Sequence, residues 1–329
     1  MNVIFFGVSG NCGEYCATRL LKDGHYVFGV SRGKTKIKHK NYIHFQGDIR
    51  DDYLFKKLPK NEIDLIINFA GVQPSILLYS EKTNFEKTIN EYIDINIKGV
   101  TNILNFVKNN NVKNYIYSTT HREYENHWKN NIYLDNSLPT SINLEGDHVM
   151  YAISKYSARL IGDYFGTLFN FRVFNLRLPM MFLTPNDPYY LKNGKKELMP
   201  FLKIIKSAME GKTLEIWGDQ NMKRDYVHVE NLYNLIILCL KSNLAKGTFN
   251  VGTGEAVTTE KFIKTIAEIF APNFKQIKYS YKPQKLSYKC AIYNVDEQKE
   301  ILGYRPIYLK EMLIRIKSDI EKKANYFIN

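Results

Sequence analysis

The chain has 329 residues, enough for two lobes or for one large α/β domain with a substantial core. Its 44% hydrophobic and 14% aromatic residues exclude an intrinsically disordered chain, and no run reaches the roughly 18 apolar residues of a membrane span. Lysine and arginine outnumber acidic residues by 46 to 33, but this excess of +13 is spread along the chain without a nucleic-acid-binding module, so we expect neither a nucleic-acid nor a membrane partner.

The cysteines and the first residues bear on metal binding and compartment. Cys12, Cys16, Cys239 and Cys290 form no CxxC pair, and no histidine accompanies them at the spacing of metal ligands. We therefore expect reduced, structural thiols and no metal site. No basic segment precedes the short apolar run at Phe5, which argues against a secretory signal, and we expect a cytoplasmic protein.

A glycine-rich turn directly follows the first predicted strand, Val3–Phe6. Gly7, Gly10 and Gly13 have the spacing GxxGxxG, with Asn11 between them. A turn without β-carbons lets backbone N–H groups approach a pyrophosphate, and the N-terminus of the following helix adds a partial positive charge. The pattern predicts a dinucleotide site held by these four residues, although ordinary tight turns also contain glycine triplets.

Short apolar strands alternate with amphipathic helical segments over the first half of the chain. This alternation predicts an α/β fold with a Rossmann-type doubly wound parallel sheet and ligands beyond the carboxyl ends of its strands. After about residue 177 the pattern loosens, which predicts a smaller C-terminal substrate-binding lobe. The predicted strands are Val3–Phe6, Tyr26–Val30, Leu65–Phe69, Tyr115–Ser118, Val173–Leu176 and Phe249–Val251, and the predicted helices include Glu14–Lys22, Tyr92–Asn109, Tyr151–Leu168, Thr258–Phe270 and Leu309–Lys323.

Tyr151 and Lys155 stand four residues apart, so on a helix their side chains share one face. An ammonium near a phenol favours the phenolate and would lower the pKa of Tyr151 toward the working pH, where it can exchange a proton with a substrate hydroxyl. Tyr53–Lys57 and Tyr281–Lys285 have the same spacing. Tyr151 differs from these because it opens a long helical segment about thirty residues after the strand that ends at Thr120.

Seven short motifs occur along the chain in one order. They are Gly7-x-x-Gly10-x-x-Gly13, Gly47-Asp48-Ile49, Asn68-Phe69-Ala70-Gly71, Asn96 before Lys98-Gly99, Ser118-Thr119-Thr120, Tyr151-x-x-x-Lys155 and Arg224-Asp225-Tyr226-Val227-His228-Val229. Each alone has low specificity. Together, over nearly the whole chain, they resemble an extended short-chain dehydrogenase/reductase of the NAD(P)-dependent nucleotide-sugar epimerase/dehydratase family.

The resemblance implies a set of cofactor contacts. Asp48 and Ile49 would hold the adenine ring, and the backbone at Ala70 and Gly71 would pass close to the cofactor. Lys155 would grip the nicotinamide ribose. Ordinary turn capping is the alternative role for Asp48.

The resemblance also implies catalytic and substrate contacts. Thr120 would hydrogen-bond the reacting sugar hydroxyl, and Tyr151 would exchange its proton with the help of Lys155. Arg224 would contact a substrate phosphate, a task suited to its planar charged group, with an ordinary surface arginine as the alternative. Asn96 would support the strand and helix beneath the site.

The second predicted strand departs from the pattern of NAD-preferring family members. Ser31 and Arg32 follow it, where those members place an acidic residue that binds the adenosine ribose hydroxyls. A hydroxyl beside a guanidinium suits a 2′-phosphate, so the sequence favours NADP as cofactor. NAD remains open, since Arg32 is also compatible with a solvated surface position.

The residues after Thr120 depart from the dehydratase pattern. His121 and Arg122 stand where family members that remove water across ring positions four to six carry two acidic residues. That reaction needs a general acid and a base, and arginine, which is always protonated, cannot act as the base. A 4,6-dehydratase is therefore disfavoured. His121 either contacts the substrate or caps the loop that follows, and the polar segment from His121 to Asp147 is typical of a substrate-covering loop. Met180 replaces the asparagine that the family uses for the sugar nucleotide, and methionine cannot replace its hydrogen bonds.

We predict a dinucleotide-binding Rossmann domain over residues 1–176, to which residues 225–252 return, and a mainly substrate-binding lobe over residues 177–329. The resemblance implies NAD(P)-dependent oxidoreduction at a sugar carbon of a nucleotide-linked hexose, as a 4-ketoreductase or an epimerase, with Tyr151 as acid and base. The alternative is a non-catalytic dinucleotide-binding sensor or RNA-associated protein. Family members pair through two helices per subunit into a four-helix bundle, so we expect a homodimer, with apolar positions such as Ile103, Leu104, Val107, Leu160 and Phe165 open to either sheet packing or pairing.

Overall fold

The computed structural model describes residues 1–73, 89–128, 133–146, 148–192, 195–287, 291–323 and 326–327. Cys290 lies outside these residues, as do positions 129–132 and 147 of the predicted substrate-covering loop. The other three cysteines are free thiols, and Cys16 and Cys239 are buried.

A seven-stranded parallel sheet lies at the centre of the protein. The strands of the described chain are β1 (Asn2–Phe6), β2 (Tyr26–Ser31), β3 (Tyr42–Gln46), β4 (Leu65–Asn68), β5 (Asn114–Thr120), β6 (Tyr133–Leu134), β7 (Arg172–Leu178), β8 (Met181–Phe182), β9 (Tyr189–Lys192), β10 (Lys195–Leu198), β11 (Leu214–Trp217), β12 (Lys223–Arg224), β13 (Val227–His228), β14 (Lys246–Asn250), β15 (Val257–Thr258), β16 (Tyr279–Lys282) and β17 (Ile292–Tyr293). The sheet has the order β14-β7-β5-β4-β1-β2-β3. The order reverses between β1 and β4, which confirms the predicted doubly wound α/β fold.

Helices cover both faces of this sheet. They are α1 (Asn11–Lys22), α2 (Asp52–Lys57), a π-helix (Tyr92–Gly99), α3 (Val100–Asn109), α4 (Val149–Phe169), α5 (Pro200–Met209), α6 (Val229–Lys241), α7 (Thr259–Phe270), α8 (Asp296–Leu302) and α9 (Leu309–Glu321), with 3₁₀-helices at His121–His127 and Phe274–Gln276.

Alternate side chains of β1 belong to two different apolar cores, because successive residues of a strand point to opposite faces. Val3 and Phe5 pack in a cluster that includes side chains of α1 and α6. Ile4 and Phe6 pack in a second cluster with side chains of α3 such as Ile103. The near-continuous apolar sequence of the first strand therefore reflects burial on both faces, as expected for a parallel sheet.

The segment predicted as one helix from Tyr92 to Asn109 consists of two helices of different pitch. It is a π-helix as far as Gly99 and an α-helix from Val100. The buried Asn96 lies in the wide turns, and its amide nitrogen donates to Ser154 Oγ of α4 at 3.0 Å while its oxygen accepts from the Val72 N–H at 2.8 Å. These hydrogen bonds join three segments at the wide turns, a helical irregularity that occurs often at functional sites.

A third apolar cluster lies beyond β7 and includes Phe182, Ile205, Phe262 and Ile316, which bring α5, α7 and α9 together. By contrast, β14 joins the central sheet and α6 packs in the same cluster as α1. This arrangement supports the division into residues 1–176 with 225–252 and residues 177–329, which stays a prediction.

Among the described helices, none is both long enough and apolar enough to cross a bilayer. Within the same described ranges, histidine, cysteine and acidic side chains do not gather into a group of three or more that could hold a metal ion.

Candidate active site

The carboxyl ends of β1, β2, β4 and β5 open onto a cleft of about 1270 Å³. This volume exceeds the roughly 300–1000 Å³ of a site for a drug-sized molecule, so the cleft can take a ligand as large as a dinucleotide. It lies where the strand order reverses, the usual ligand position in such sheets. The predicted site residues that line it are Gly7, Gly10, Asn11, Gly13, Ser31, Arg32, Asp48, Ile49, Ala70, Gly71, Thr120, His121, Tyr151 and Lys155.

Two of the three glycines are required by close backbone packing. Gly7 has φ +85°, and a Cβ built on it would lie 2.5 Å from the backbone nitrogen of Ala70. A Cβ on Gly13 would overlap the carbonyl oxygen of Gly7. Gly10 is less restricted, because its Cβ would meet that oxygen at 3.5 Å. The glycines thus let the end of β1, the start of α1 and the turn after β4 touch, with the α1 N-terminus facing the cleft.

The end of β2 does not present both of its polar groups to a ligand. The Ser31 hydroxyl donates to the Gly33 carbonyl oxygen at 2.8 Å and contacts His44 Nε2 at 2.9 Å. Since a hydroxyl has one proton, Ser31 has none left to donate to a phosphate in this arrangement. Arg32 is exposed and lines the cleft.

Asp48 lies at the edge of the same cleft and receives two charge-assisted hydrogen bonds from Arg50, at 3.0 Å from Nε and 2.7 Å from Nη2. These bonds are the main reason that the pKa of Asp48 lies below its usual value. A carboxylate held in this way can still accept a hydrogen bond from a ligand, because each oxygen has more than one lone pair.

Thr120 and Tyr151 meet at the end of β5. The Thr120 hydroxyl accepts a hydrogen bond from the Arg122 N–H at 3.2 Å, which caps the 3₁₀-helix, and it also hydrogen-bonds to the Tyr151 phenol. The pKa of Tyr151 is raised, mainly because burial disfavours the phenolate and although the Thr120 bond favours it. The sequence-based expectation of a lowered pKa for Tyr151 is therefore wrong.

Lys155 is almost completely buried on the same helix. Its ammonium lies 4.2 Å from the centre of the Tyr117 ring, and it is 3.7 Å from the position that a Cβ on Gly71 would take. Burial lowers the pKa of Lys155 to about 7. Desolvation raises the pKa of Tyr151 and lowers that of Lys155, because in each case it disfavours the charged form.

His121 is a neutral group in the cleft. Burial, together with the positive charge of Arg122, lowers its pKa to about 3, and its Nδ1 lies 2.6 Å from the Tyr293 hydroxyl. The cap of the following 3₁₀-helix is Thr120, so the predicted capping role of His121 is wrong. Met180 also lines the cleft with 55% of its surface exposed.

Arg224 is not among the described residues that line the cleft. It lies in β12, which pairs with β15, and its guanidinium is 5.8 Å from the centre of the Tyr226 ring. Its neighbour Asp225 is buried and accepts hydrogen bonds from the backbone N–H groups of Thr253 at 2.8 Å and Gly254 at 3.1 Å. Burial raises the pKa of Asp225 to about 6. The motif at residues 224–229 therefore fixes the turn after β14, and a phosphate contact of Arg224 stays a prediction.

Sequence reasoning missed a charged group behind the site, Glu123. Its side chain is completely buried and forms ion pairs with Arg177 at 3.0 Å and Arg159 at 3.2 Å. A glutamate three residues after the end of a motif carries no signal of burial by itself. The sequence signal for a buried acid lay in two arginines, Arg159 one turn after Lys155 and Arg177 in the buried strand β7. A buried arginine needs an acidic partner.

A family model describing the NAD dependent epimerase/dehydratase family matches residues 3–252. The chain belongs to this family. Membership confirms the resemblance drawn from the seven motifs and supports an enzyme whose cofactor is NAD.

Several relatives and solved structures are similar to this family member over nearly their whole lengths. The UDP-glucose 4-epimerase of Lactobacillus helveticus is 25% identical, over 93% of this chain and 92% of its own. A solved structure of the Thermotoga maritima UDP-glucose 4-epimerase with UDP-glucose has a TM-score of 0.77 at 21% identity, covering 98% and 99% of the two chains. The Bacillus cereus UDP-glucuronic acid 4-epimerase, in complex with UDP-glucuronic acid and NAD, has a TM-score of 0.71 at 18% identity with the same coverage. At such identities the structures establish the fold alone.

Proposed function

We propose that this protein is an NAD-dependent 4-epimerase of a nucleotide-linked hexose, with Tyr151 as the acid and base. One observation carries the proposal: Thr120, Tyr151 and Lys155 line the same cleft as the glycine turn. A dinucleotide and a sugar nucleotide are both larger than drug-sized molecules, which suits a cleft of this size. The family and its UDP-sugar 4-epimerase relatives support this choice.

The residues of the cleft fit a dinucleotide. The turn at Gly7 and Gly13 has no room for β-carbons, and the N-terminus of α1 beside it suits a pyrophosphate. We assign cofactor binding to the residues predicted from the sequence, namely Gly7, Gly10, Asn11, Gly13, Ser31, Arg32, Asp48, Ile49, Ala70, Gly71 and Lys155. When bound, the nicotinamide supplies hydride exchange with the sugar carbon.

The chain itself handles the proton. Thr120 orients the sugar hydroxyl through its own hydroxyl, which already contacts Tyr151. Tyr151 takes the proton of that hydroxyl as the carbonyl forms and gives it back as the carbonyl is reduced. The Lys155 ammonium favours the charged form of Tyr151 during this exchange. The neutral His121 supplies a polar contact to the sugar and no charge.

Two observations at the end of β2 bear on the choice between the candidate reactions. The Ser31 proton is donated to Gly33, which weakens the predicted NADP preference and supports NAD, as found with the B. cereus neighbour. Arg32 still favours a second candidate, a 4-ketoreductase that uses NADP, because it is exposed at the cleft with no acid at the end of β2. A dehydratase is also among the relatives but is disfavoured, since His121 and Arg122 stand where that reaction needs two acids and the nearby Glu125 is paired with Arg122 at 2.5 Å.

The test begins with heat denaturation of the purified protein and identification of any released dinucleotide. The undenatured protein is then given UDP-, dTDP- and GDP-linked hexoses with and without added NADPH. We expect released NAD and conversion of one sugar nucleotide to its C4 epimer without added cofactor. Turnover that consumes NADPH and starts from a 4-keto sugar would instead establish the ketoreductase. Bound cofactor without turnover of any substrate would favour the non-catalytic alternative.

We further propose a homodimer through the helices that flank the site. Of the candidate positions, Ile103, Leu104 and Val107 are buried against the sheet, so they do not form the pairing face. The exposed large apolar side chains of the π-helix and α4 are Ile93, Leu160, Tyr164, Leu168 and Phe169, with 37–63% of their surfaces exposed. Leu160, Tyr164 and Leu168 recur every four residues on one face of α4, and exposed apolar groups gathered on one face are typical of an interaction surface.

Replacing Leu160, which is 46% exposed, by arginine should therefore convert a dimer to a monomer. A charge at the centre of an apolar interface stays unpaired, which costs several kcal/mol of association free energy. Light scattering should give one chain mass, 38.5 kDa, in place of two. Ile314→Arg on α9 is the matched control, since Ile314 is 50% exposed outside this face and its replacement should leave the mass unchanged. An unmodified protein that is already monomeric would contradict the proposal.

A further inference from the structure

Glu123 joins the three elements that carry the site. Its carboxylate accepts a hydrogen bond from the Thr119 hydroxyl at the end of β5. It also pairs with Arg159 of α4 and with Arg177 of β7. Thr119 adjoins Thr120, and Arg159 lies one turn after Lys155 on α4. A single buried carboxylate thus ties the backbone that holds Thr120 to the helix that holds Tyr151 and Lys155.

The two arginines that pair with Glu123 also contact other groups. The Arg159 guanidinium is shared with Asp163 of α4, at 3.5 Å. The Arg177 guanidinium also donates to the Asn136 carbonyl oxygen at 3.3 Å and lies 4.3 Å from the centre of the Tyr124 ring. Both arginines therefore divide their interactions between Glu123 and other groups.

We propose that Glu123 is a positioning residue, which aligns β5 with α4 and places a negative charge behind the Tyr151–Lys155 pair. The inference rests on the proposed function for its consequence in catalysis. Its electrostatic part concerns the pKa of Tyr151 and does not depend on the proposed function. Nothing in the seven motifs points to this residue, which lies in the 3₁₀-helix after Thr120.

The charge acts in the same direction on both site residues. Glu123 raises the pKa of Tyr151 and raises that of Lys155, opposing for Lys155 the larger lowering by burial. The other charged groups that face Tyr151 include Arg122, which lowers its pKa. Glu123 therefore favours the ammonium form of Lys155 and the protonated phenol of Tyr151.

The test follows Tyr151 directly, without turnover. Tyr151 is replaced by 3-fluorotyrosine, and the ¹⁹F chemical shift is recorded against pH to give the midpoint of phenol ionisation. Glu123→Gln removes the charge and keeps the shape, so the midpoint should fall by about half a pH unit or more. Arg159→Gln removes a positive charge beside Glu123, so the midpoint should rise. The two changes combined should return it toward the unmodified value.

A matched control is Glu230→Gln. Glu230 is a buried carboxylate of α6 that pairs with Arg19 at 3.1 Å and accepts a hydrogen bond from Tyr15 at 2.6 Å, remote from Tyr151. Its replacement should leave the midpoint of Tyr151 ionisation unchanged, even if it lowers the melting temperature as much as Glu123→Gln does. Equal midpoints in the unmodified, Glu123→Gln and Arg159→Gln proteins would overturn the proposal. If Glu123→Gln fails to fold, the direction seen with Arg159→Gln decides alone, and a midpoint that stays or falls there overturns it.

The kinetic readout separates this inference from the proposed function. With an active protein, Glu123→Gln should lower kcat by about tenfold or more with little change in KM, because misalignment acts after binding. Glu123→Asp, which keeps the charge, should retain the ¹⁹F midpoint. If no sugar nucleotide is turned over, the proposed function fails while the ¹⁹F titration still tests Glu123.

Discussion

Tyr151→Phe should lower kcat by about 10²–10⁴-fold, the usual range for loss of a general acid and base. The change removes one oxygen, the atom that hydrogen-bonds to Thr120, and leaves the ring in place. The dinucleotide should remain bound, because the glycine turn and the α1 N-terminus are untouched. Turnover of the identified sugar nucleotide and heat release of the dinucleotide measure the two effects separately.

Tyr156→Phe is the matched control on the same helix. Tyr156 is half-buried, and its ring lies 4.9 Å from the Arg159 guanidinium carbon, a contact that phenylalanine keeps. Its kcat should stay within about twofold of the unmodified protein, since surface changes away from the site have small effects. If Tyr151→Phe retained full activity, the proton would have to move through another group, and the assignment of Tyr151 would be refuted.

Gly13→Ala should lower the free energy of unfolding by about 3 kcal/mol and abolish dinucleotide retention. The added Cβ overlaps the Gly7 carbonyl oxygen, which is backbone and cannot rotate away. Relief therefore requires α1 to move from β1, which also displaces the helix N-terminus from the cleft. Urea unfolding midpoints give the stability change, and dinucleotide released per chain gives the loss of binding.

Gly10→Ala is the matched control, because it adds a methyl group to the same turn without the steric overlap. Gly10 has φ −75°, and its Cβ would be 3.5 Å from the Gly7 oxygen, an ordinary contact. We expect a change in unfolding free energy of about 1 kcal/mol or less, typical for alanine at an N-cap. A stability loss as large as that of Gly13→Ala would show that close packing of the turn is not the cause.

The sequence predicted the buried strands of the central sheet best, because their residues form short apolar runs. The apolar run at Val3–Phe6 and the later strands at Tyr115–Ser118 and Val173–Leu176 all occur in the central sheet, extended by one to three residues. The strand Tyr42–Gln46 was missed, because it lies at the sheet edge and has no fully buried residue. Its sequence has the strand-forming residues Tyr42, Ile43 and Phe45 but not the continuous apolar run of the buried strands.

The candidate site could be predicted as a set of residues, but not in its charge state. The motifs located Thr120, Tyr151 and Lys155, which the fold brings to one cleft. Sequence spacing does not report desolvation, and burial outweighs the other influences on Tyr151 and lowers the pKa of Lys155. The hydrogen bond from Ser31 to Gly33 was equally invisible, since it depends on the path of the chain after β2.

The contact between the turn after β1 and the turn after β4 limits how this chain can be recombined with its relatives. Gly7 abuts the backbone of Phe69 and Ala70, so these two stretches, sixty residues apart, were shaped to each other. A chimera that takes only residues 1–22 from a relative would place the turn after β1 of one protein against the turn after β4 of another, without matched packing between them. Crossover points that carry residues 65–73 along with the first helix should yield folded hybrids far more often.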